Sequence, residues 1–210
     1  MIAALFVESD GPYNSPGVEL WDRHADARKY RGPHKIIAHP PCERWGRYWG
    51  GGPMLHGTSS QKLLGDDSGC FAHALWAVRT FGGVIEHPEA SHAFAFFGLP
   101  RPDRKGGWTE SDKFGGRSCC VAQGHYGHRA QKLTWLYGVR IDFQELKWGP
   151  CPGRVRLDSG FHSKDERINK YELRKRTAKT ENILTPPEFK KLLVQLVSSK
   201  PTPATESKEK

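Results

Sequence analysis

One cysteine and one glutamate each follow a short apolar segment of the sequence, at a point where the backbone must turn. Cys42 comes directly after two prolines, which hold it in a rigid, non-helical loop. Glu86 ends the apolar segment 84–86. A thiolate beside a carboxylic acid can attack an electron-poor ring while a ring nitrogen takes up a proton. The pair therefore predicts nucleophilic chemistry, and the alternative is a buried cysteine with a salt-bridging glutamate.

The hydrophobic pattern indicates the elements that position this pair. Apolar segments alternate with helical or loop-like segments, which predicts an α/β sheet that is at least partly parallel. Phe71, Leu75 and Val78 share one face of a helix that Asp67 or Ser68 caps and that two glycines end. Ligands of such sheets bind beyond the carboxyl ends of the strands, where both Cys42 and Glu86 are expected. The predicted strands cover residues 2–7, 18–21, 35–39, 84–86 and 133–139.

The later part of the chain has a different pattern. Residues 98–118 are rich in glycine, proline and charge, and we expect them to be irregular. Thr185 and Glu188 have the spacing of a capping box, with prolines between them at the first helical positions. Apolar residues continue at helical spacing as far as Val197, so this helix is predicted to pack on the body. From Ser198 onward the composition predicts disorder.

The charge of the chain favours a polyanionic partner. Over 210 residues the net charge is +9, and residues 154–179 hold nine Lys or Arg against four Asp or Glu. Such a run either binds phosphates or forms a solvated face. No apolar run reaches the about 20 residues of a membrane span, and residues 1–7 are too short for a signal peptide. We therefore expect a cytoplasmic protein without a membrane partner.

Three segments of the chain resemble the cytosine-C5 DNA methyltransferases. The loop that contains Cys42, IIAHPPCERWGRYW, resembles the Pro-Cys loop of that family, and GGVIEHPEAS, around Glu86, resembles its Glu-Asn-Val strand end. The segment HYGHRAQKLTWLYGVR is similar to a later block, and the three occur in the family's order. The chain also resembles small phage and prophage methyltransferase-like proteins with an Ala-His-Pro-Pro-Cys loop. The resemblance covers residues 34–140, and a phage origin implies the cytoplasm of a bacterial host.

The resemblance implies a single α/β domain with a Rossmann-like, methyltransferase-like sheet. Its core is expected over residues 1–145. The basic segment and the C-terminal helix, expected over 146–197, pack on that core, and a disordered tail covers 198–210.

The family's chemistry can be carried over to matching positions. Cys42 would add to C6 of a pyrimidine, with cytosine in DNA as the expected substrate and a free pyrimidine nucleotide as the alternative. Glu86 would contact N3 and the exocyclic amine and stabilise the adduct. Trp45 would stack on a base or close its loop over the sheet. The base would have to be flipped out of the DNA stack. The residues expected to contact substrate or DNA are Arg44, Trp45, His87, Arg129 and Lys132.

The family's methyl donor is S-adenosylmethionine. Its glycine-rich first loop is replaced here by FVESDGP, which has one glycine and two acids. Glu8 or Asp10 would hold the methionine amine, and Asp22 would hold the ribose hydroxyls. Because the turn lacks the glycines that allow close backbone approach, we expect this cofactor to bind weakly if at all.

Two other classes of protein remain open from the sequence. One is a relative without catalytic activity that binds DNA or a host protein, as a phage counter-defence factor does. The other is a zinc-stabilised nucleic-acid binder, although the sequence has no pair of CxxC knuckles, and we assign no metal ligand. The zinc-competent residues considered are His39, Cys42, His87, Cys119, Cys120, His125 and His128.

Overall fold

The structure is a computed structural model, and it describes residues 1–46, 63–151, 153, 155 and 185–199. Within these residues the chain forms one mixed six-stranded sheet with three α-helices, so the α/β expectation is confirmed. Short 3-10 turns cover Ala27–Lys29 and Gln123–Tyr126. The elements are β1 (Ile2–Leu5), β2 (Val18–Trp21), β3 (Lys35–Ala38), α1 (Cys70–Phe81), β4 (Gly83–Pro88), α2 (His92–Phe96), β5 (Arg117–Ala122), β6 (Leu133–Val139) and α3 (Pro187–Ser198).

The strand order in the sheet is β2-β1-β3-β4-β6-β5. The first four strands in this order are parallel, whereas β6 runs antiparallel to both β4 and β5. The chain leaves β1 for β2 on one side and returns to β3 on the other. The order therefore reverses between β1 and β3, and in open α/β sheets ligands bind outside the carboxyl ends of the strands at such a point.

Helices cover both faces of the sheet. Along β3, Ile36 and Ala38 pack with α1, whereas Ile37 packs with α3 on the opposite face. Because both faces are buried, the parallel strands have continuous apolar sequences instead of alternating ones. Five side chains of α3 are buried, and at roughly 1.5–3 kcal/mol each they favour its docking by on the order of 10 kcal/mol. These residues are Phe189, Leu192, Leu193, Leu196 and Val197.

The two predicted helix starts have different outcomes. Helix α1 begins at Cys70, and its N-cap position is Gly69, which has no side-chain hydrogen bond, so neither Asp67 nor Ser68 is the predicted cap. The Asp67 carboxylate still accepts a hydrogen bond of 2.8 Å from the Phe71 N–H and so satisfies a free donor of the first turn. Thr185 forms no capping box, because the N-cap position of α3 is Pro186, which has no side-chain hydrogen bond. Pro187 does occupy the first helical position, as its fixed φ favours.

The antiparallel part of the sheet is less predictable than the parallel part. Strand β6 has the predicted bounds, but β5 was not predicted, and residues 117–118 belong to it instead of to an irregular segment. Helix α2 was also not predicted. The basic run at 154–179, apart from Val155, and the tail at 200–210 lie outside the described residues. Among the helices that are described, none is both long enough and apolar enough to cross a membrane.

Candidate active site

The carboxyl ends of β3 and β4, here called the β3–β4 edge, bring together three predicted site residues. Glu86 lies near the end of β4, and Cys42 follows β3 by four residues. Lys132 directly precedes β6, the antiparallel neighbour of β4. The charges of Glu86 and Lys132 both act on the Cys42 thiol, so the three groups share one electrostatic environment. The expectation from the strand ends places these residues correctly at one edge of the sheet.

Hydrogen-bond donors hold both oxygens of the Glu86 carboxylate. His39 Nδ1 lies 2.8 Å from Oε2, and Gln123 Nε2 donates to Oε1 at 3.1 Å. Gln123 Nε2 also donates to Thr134 Oγ1 at 2.9 Å, and that hydroxyl donates to the Lys132 carbonyl. The carboxylate oxygen of Glu86 can only accept, and the Thr134 hydroxyl has already used its proton, so the amide nitrogen of Gln123, and not its oxygen, must face both groups. The carboxylate of Glu86 is held in one orientation.

The Glu86 carboxyl is ionised at neutral pH. Burial alone would raise its pKa, since a charged group is disfavoured away from water. The hydrogen bond and electrostatic attraction of His39, together with the charge of Lys132, outweigh burial and lower the pKa to about 2. Glu86 therefore presents acceptor oxygens to a ligand, and it needs a proton from elsewhere to act as an acid.

Tyr13 holds the other side of His39. The Tyr13 hydroxyl lies 2.8 Å from His39 Nε2, and the two rings are in contact, with centroids 5.2 Å apart. Tyr13 is buried in the loop between β1 and β2, and burial followed by the charge of Glu86 raises its pKa well above the usual value. The hydroxyl is thus neutral. We call the chain of Tyr13, His39, Glu86, Gln123 and Thr134 the Glu86 network.

The Cys42 thiol is protonated in the free protein. Burial raises its pKa, the charge of Glu86 raises it further, and Lys132 opposes both. Burial lowers the pKa of Lys132, while Glu86 and Cys42 raise it. Lys132 also has a positive φ of 40°, which is uncommon for a residue other than glycine. Strained backbone of this kind is common at functional sites, and Lys132 lies directly before β6 at the β3–β4 edge.

Trp45 and His87 are core residues in this structure. Trp45 is 2% exposed, and its indole N–H donates to Asp67 Oδ2 at 2.8 Å. The ring contacts Phe71 of α1 and Phe97 beside α2, so Trp45 closes its loop over these helices, whereas the expectation named the sheet. His87 is fully buried edge-on against Phe71, on the sheet face opposite to Glu86, and burial lowers its pKa to about 4. Neither ring is presented to a ligand.

The two predicted arginines lie in the segments that lead to the site. Arg44 is half-buried in the loop of Cys42, where its carbonyl accepts a hydrogen bond of 3.1 Å from the Gly65 N–H. Arg129 is exposed, three residues before Lys132.

The residues predicted to bind the methyl donor, Glu8, Asp10 and Asp22, lie at the carboxyl ends of β1 and β2, here called the β1–β2 edge. The Asp22 carboxylate accepts from the backbone N–H groups of His24 and Ala25, each at 2.8 Å, and from the Ser9 hydroxyl. The hydrogen bond from Ser9 is the largest cause that lowers its pKa. Asp22 is therefore already engaged by its own protein.

The turn that carries Glu8 and Asp10 is exposed and tight. The Gly11 N–H donates to the Glu8 carbonyl at 3.0 Å, and a Cβ at Gly11 would lie 2.9 Å from that oxygen. This one glycine serves the turn itself. Because Asp22 is engaged and the segment 6–12 has no glycine besides Gly11, these residues do not fit the cradle that S-adenosylmethionine requires.

The zinc-competent residues are not brought together. Cys119 and Cys120 lie on opposite faces of β5, one in each core cluster. Burial raises the pKa of Cys119 well above its usual value and that of Cys120 to about 11, which disfavours the thiolates that bind zinc. His128 bonds to the backbone of Ala130. In the described part of the chain no three His, Cys, Asp or Glu side chains form a metal site.

Sequence reasoning missed most of the Glu86 network. His39 is expected from the sequence at a strand end and as a zinc-competent residue, but not as a partner of Glu86, and no sequence pattern indicates Tyr13, Gln123 or Thr134. Gln123 follows β5 and Thr134 lies in β6, so their approach to Glu86 depends on the antiparallel pairing of β6 with its neighbours.

Comparison with protein-family models, curated proteins and solved structures finds no match to this chain. The functional argument therefore rests on the geometry of the site.

Proposed function

We propose that this protein modifies C5 of a pyrimidine base, with cytosine in DNA as the substrate, by adding the Cys42 sulfur to C6. The observation that carries the proposal is the convergence of Cys42, Glu86 and Lys132 at the β3–β4 edge. A nucleophile, a carboxyl that can contact a ring nitrogen and a cation are the groups that this addition needs. The sheet, whose order reverses between β1 and β3, supports a Rossmann-like class of fold.

The addition converts C5 into a nucleophile. Cys42 loses its proton to water, and the thiolate forms a bond to C6 while N3 takes up a proton through Glu86. The electron pair of the C5–C6 double bond then becomes available at C5 for an electrophile. Loss of the C5 proton to water, departure of the sulfur as thiolate and return of the N3 proton through Glu86 restore the ring. The identity of the electrophile is left open, because the β1–β2 edge does not fit the methyl donor of the resembled family.

The site is built for a base outside a helical stack. The Glu86 side chain is only 13% exposed and Cys42 is half-buried, so a base must enter the protein to reach both. The net charge of +9 favours binding to DNA, and Arg129 and Lys132 supply cations close to the site. Binding through phosphates should weaken steeply as salt is raised, because counterions are released on association.

A covalent trap tests the proposal directly. The protein is incubated with an oligonucleotide that contains 5-fluorocytosine and with the small-molecule fraction of the cells that express it, which supplies the electrophile. Once the electrophile is on C5, the fluorine there blocks the final elimination, and adducts are measured by intact mass spectrometry. We expect an adduct with the wild-type protein but none with Cys42→Ser. Cys70→Ser is the matched control, since Cys70 is also a half-buried free cysteine but lies at the start of α1. An unchanged adduct yield with Cys42→Ser would contradict the proposal.

The same variants can be compared in cells. Nucleosides from the DNA of cells that express each protein are analysed by mass spectrometry. We expect a modified cytidine with the wild-type protein and with Cys70→Ser, but not with Cys42→Ser. The mass of that nucleoside identifies the group that is added at C5.

A binding role without chemistry is the second candidate function. The observation that favours it is the engaged Asp22 carboxylate at the edge where a donor would bind. This candidate predicts salt-dependent DNA binding that is equal for the wild-type protein and Cys42→Ser, with no adduct from either. The trap experiment and a filter-binding titration at two salt concentrations therefore separate the two functions.

A further inference from the structure

His39 lies at the centre of the Glu86 network, where it contacts both a carboxylate and a phenol. Its Nδ1 atom faces Glu86 Oε2 and its Nε2 atom faces Tyr13 Oη, each at 2.8 Å. Both ring nitrogens are thus committed to partners in the protein, and the ring is only 14% exposed. A side chain held in this way has one orientation and a defined path for a proton to Glu86.

The addition of Cys42 requires a proton that Glu86 does not itself hold. Glu86 is ionised in the free protein, and donors already occupy one position on each of its oxygens. N3 of cytosine is an acceptor until the adduct forms, so a carboxylate alone cannot complete the step. The only titratable ring bonded to Glu86 among the described residues is that of His39.

We infer that His39, held by Tyr13, is the positioning residue of the site, and that it supplies the proton that Glu86 delivers to N3. The inference rests on the proposed function. As the thiolate bonds to C6, the His39 imidazolium gives its Nδ1 proton to Oε2 of the Glu86 carboxylate, and Glu86 passes a proton on to N3 and returns to its ionised form. The neutral ring keeps its proton on Nε2, where the Tyr13 oxygen accepts it. The thiol proton has left to water, so atoms and charges balance.

Several titratable groups interact with His39 or Glu86 and set the background of any pH dependence. Among the described residues they are Tyr13 from the β1–β2 loop, Cys42 from the loop after β3, Lys132 from the segment before β6 and His87, which lies on the opposite face of β4. His87 stays neutral because burial lowers its pKa to about 4, and Tyr13 stays neutral because burial raises its pKa. Burial raises the pKa of the Cys42 thiol and lowers the pKa of the Lys132 ammonium, so the effect of the ring is read from the difference between the pH profiles of the wild type and of the His39 variant.

His39→Asn separates positioning from proton supply. The asparagine amide N–H stands where Nδ1 stood and can still donate to Glu86, but it cannot give up its proton. We expect the rate of adduct formation with the 5-fluorocytosine oligonucleotide to fall by about 10²-fold, within the range for general acids. The pH profile of this rate should also change, because the amide has no proton to transfer. Tyr13→Phe should lower the rate by about tenfold and keep the wild-type profile, since one hydrogen bond is lost.

His34→Asn is the matched control, because His34 precedes β3 at the opposite end of the strand, and it should leave the rate unchanged. A wild-type rate and pH profile with His39→Asn would overturn the inference while leaving the proposed function intact. No adduct with the wild-type protein would overturn both.

A second measurement needs no substrate. In carbon-13 NMR of the labelled protein, the Glu86 carboxyl should remain ionised down to about pH 3 in the wild type, and it should titrate at higher pH in His39→Ala. Identical titration in both proteins would show that His39 does not control Glu86, and would overturn the inference.

Discussion

The β3–β4 edge and the β1–β2 edge belong to one sheet and carry the same kinds of side chain, but they are organised in opposite ways. At the β3–β4 edge, Glu86 is buried and receives donors from two other elements, and its orientation is fixed. At the β1–β2 edge, the Asp22 carboxylate accepts from Ser9 and from the backbone two and three residues ahead. The Glu86 carboxylate, which accepts from His39 and Gln123 of distant elements, is organised for a ligand. The Asp22 carboxylate, which accepts from Ser9 and from nearby backbone N–H groups, stabilises the loops at its edge.

Loss of the Glu86 carboxyl should have the largest effect of any change in this comparison. Glu86→Gln keeps the size of the side chain but removes the charge and the proton path to N3. We expect adduct formation to fall by about 10³-fold, as for the loss of a general acid. The rate is measured with the 5-fluorocytosine oligonucleotide. The exposed Glu110, changed to Gln, is the control, and an equal loss in both variants would remove the distinction between the edges.

Removal of the Trp45 ring should strongly destabilise the fold. The ring packs against Phe71 and Phe97 and its indole donates to Asp67. We expect Trp45→Ala to lower the free energy of unfolding by about 3–5 kcal/mol in urea titrations. Trp45→Phe keeps most of the packing but loses the hydrogen bond, and should cost about 1–2 kcal/mol. A stable Trp45→Ala protein with weakened DNA binding would instead place this ring at the substrate.

Glu86 should make the stability of the protein sensitive to acid. Its pKa falls from 4.5 to about 2 on folding, so the folded state binds fewer protons than the unfolded state between these values. The ionised Glu86 therefore adds about 3 kcal/mol to the free energy of unfolding above about pH 5, and this contribution is lost as pH falls through 2. Urea titrations of wild type and Glu86→Gln from pH 7 to pH 2.5 measure it. A difference that does not depend on pH would contradict the ionised state of Glu86.

Changes at the β1–β2 edge should have the smallest effect. We expect calorimetry with S-adenosylmethionine to show a Kd weaker than about 100 μM, or about −5.5 kcal/mol. Asp22→Asn should change this affinity by no more than Asp26→Asn, a control at the nearby 3-10 turn. Micromolar binding that Asp22→Asn abolishes would show that the Ser9 contact opens for the cofactor. The two edges would then be two halves of one methyltransferase site.

The parallel part of the fold could be predicted from the sequence because it depends on local patterns. Buried strands between two helical layers are short continuous apolar runs, and the strand-end rule then places Cys42 and Glu86 at one edge. The antiparallel part could not be predicted, because β5 is recognisable as a strand only through its pairing with β6. The Glu86 network depends on that pairing, since Gln123 and Thr134 reach Glu86 only when both strands are in place.

Thr185 and Trp45 show two further limits of sequence reasoning. Thr185 has the correct spacing for a capping box, but Pro186 takes the N-cap position, and a spacing pattern does not specify which residue does so. Trp45 follows the nucleophile closely enough to suggest base stacking. Its burial depends on Phe71 and Phe97, which lie 26 and 52 residues further along the chain, and a contact at such a separation has no local pattern in the sequence.

The Asp67 carboxylate couples the order of the nucleophile loop to the first turn of a helix. It accepts from the Trp45 indole and from the Phe71 N–H, each at 2.8 Å, and the Trp45 carbonyl accepts from His92 at the start of α2. When the loop of Cys42 swings away, the Trp45 indole N–H and the His92 N–H lose their acceptors, and the Asp67 carboxylate that accepts from the first turn of α1 loses one of its donors. In native-state hydrogen exchange, the Trp45 indole and the Phe71 amide should open together as one cooperative unit. Binding of a base by Cys42 would slow the exchange of both protons equally.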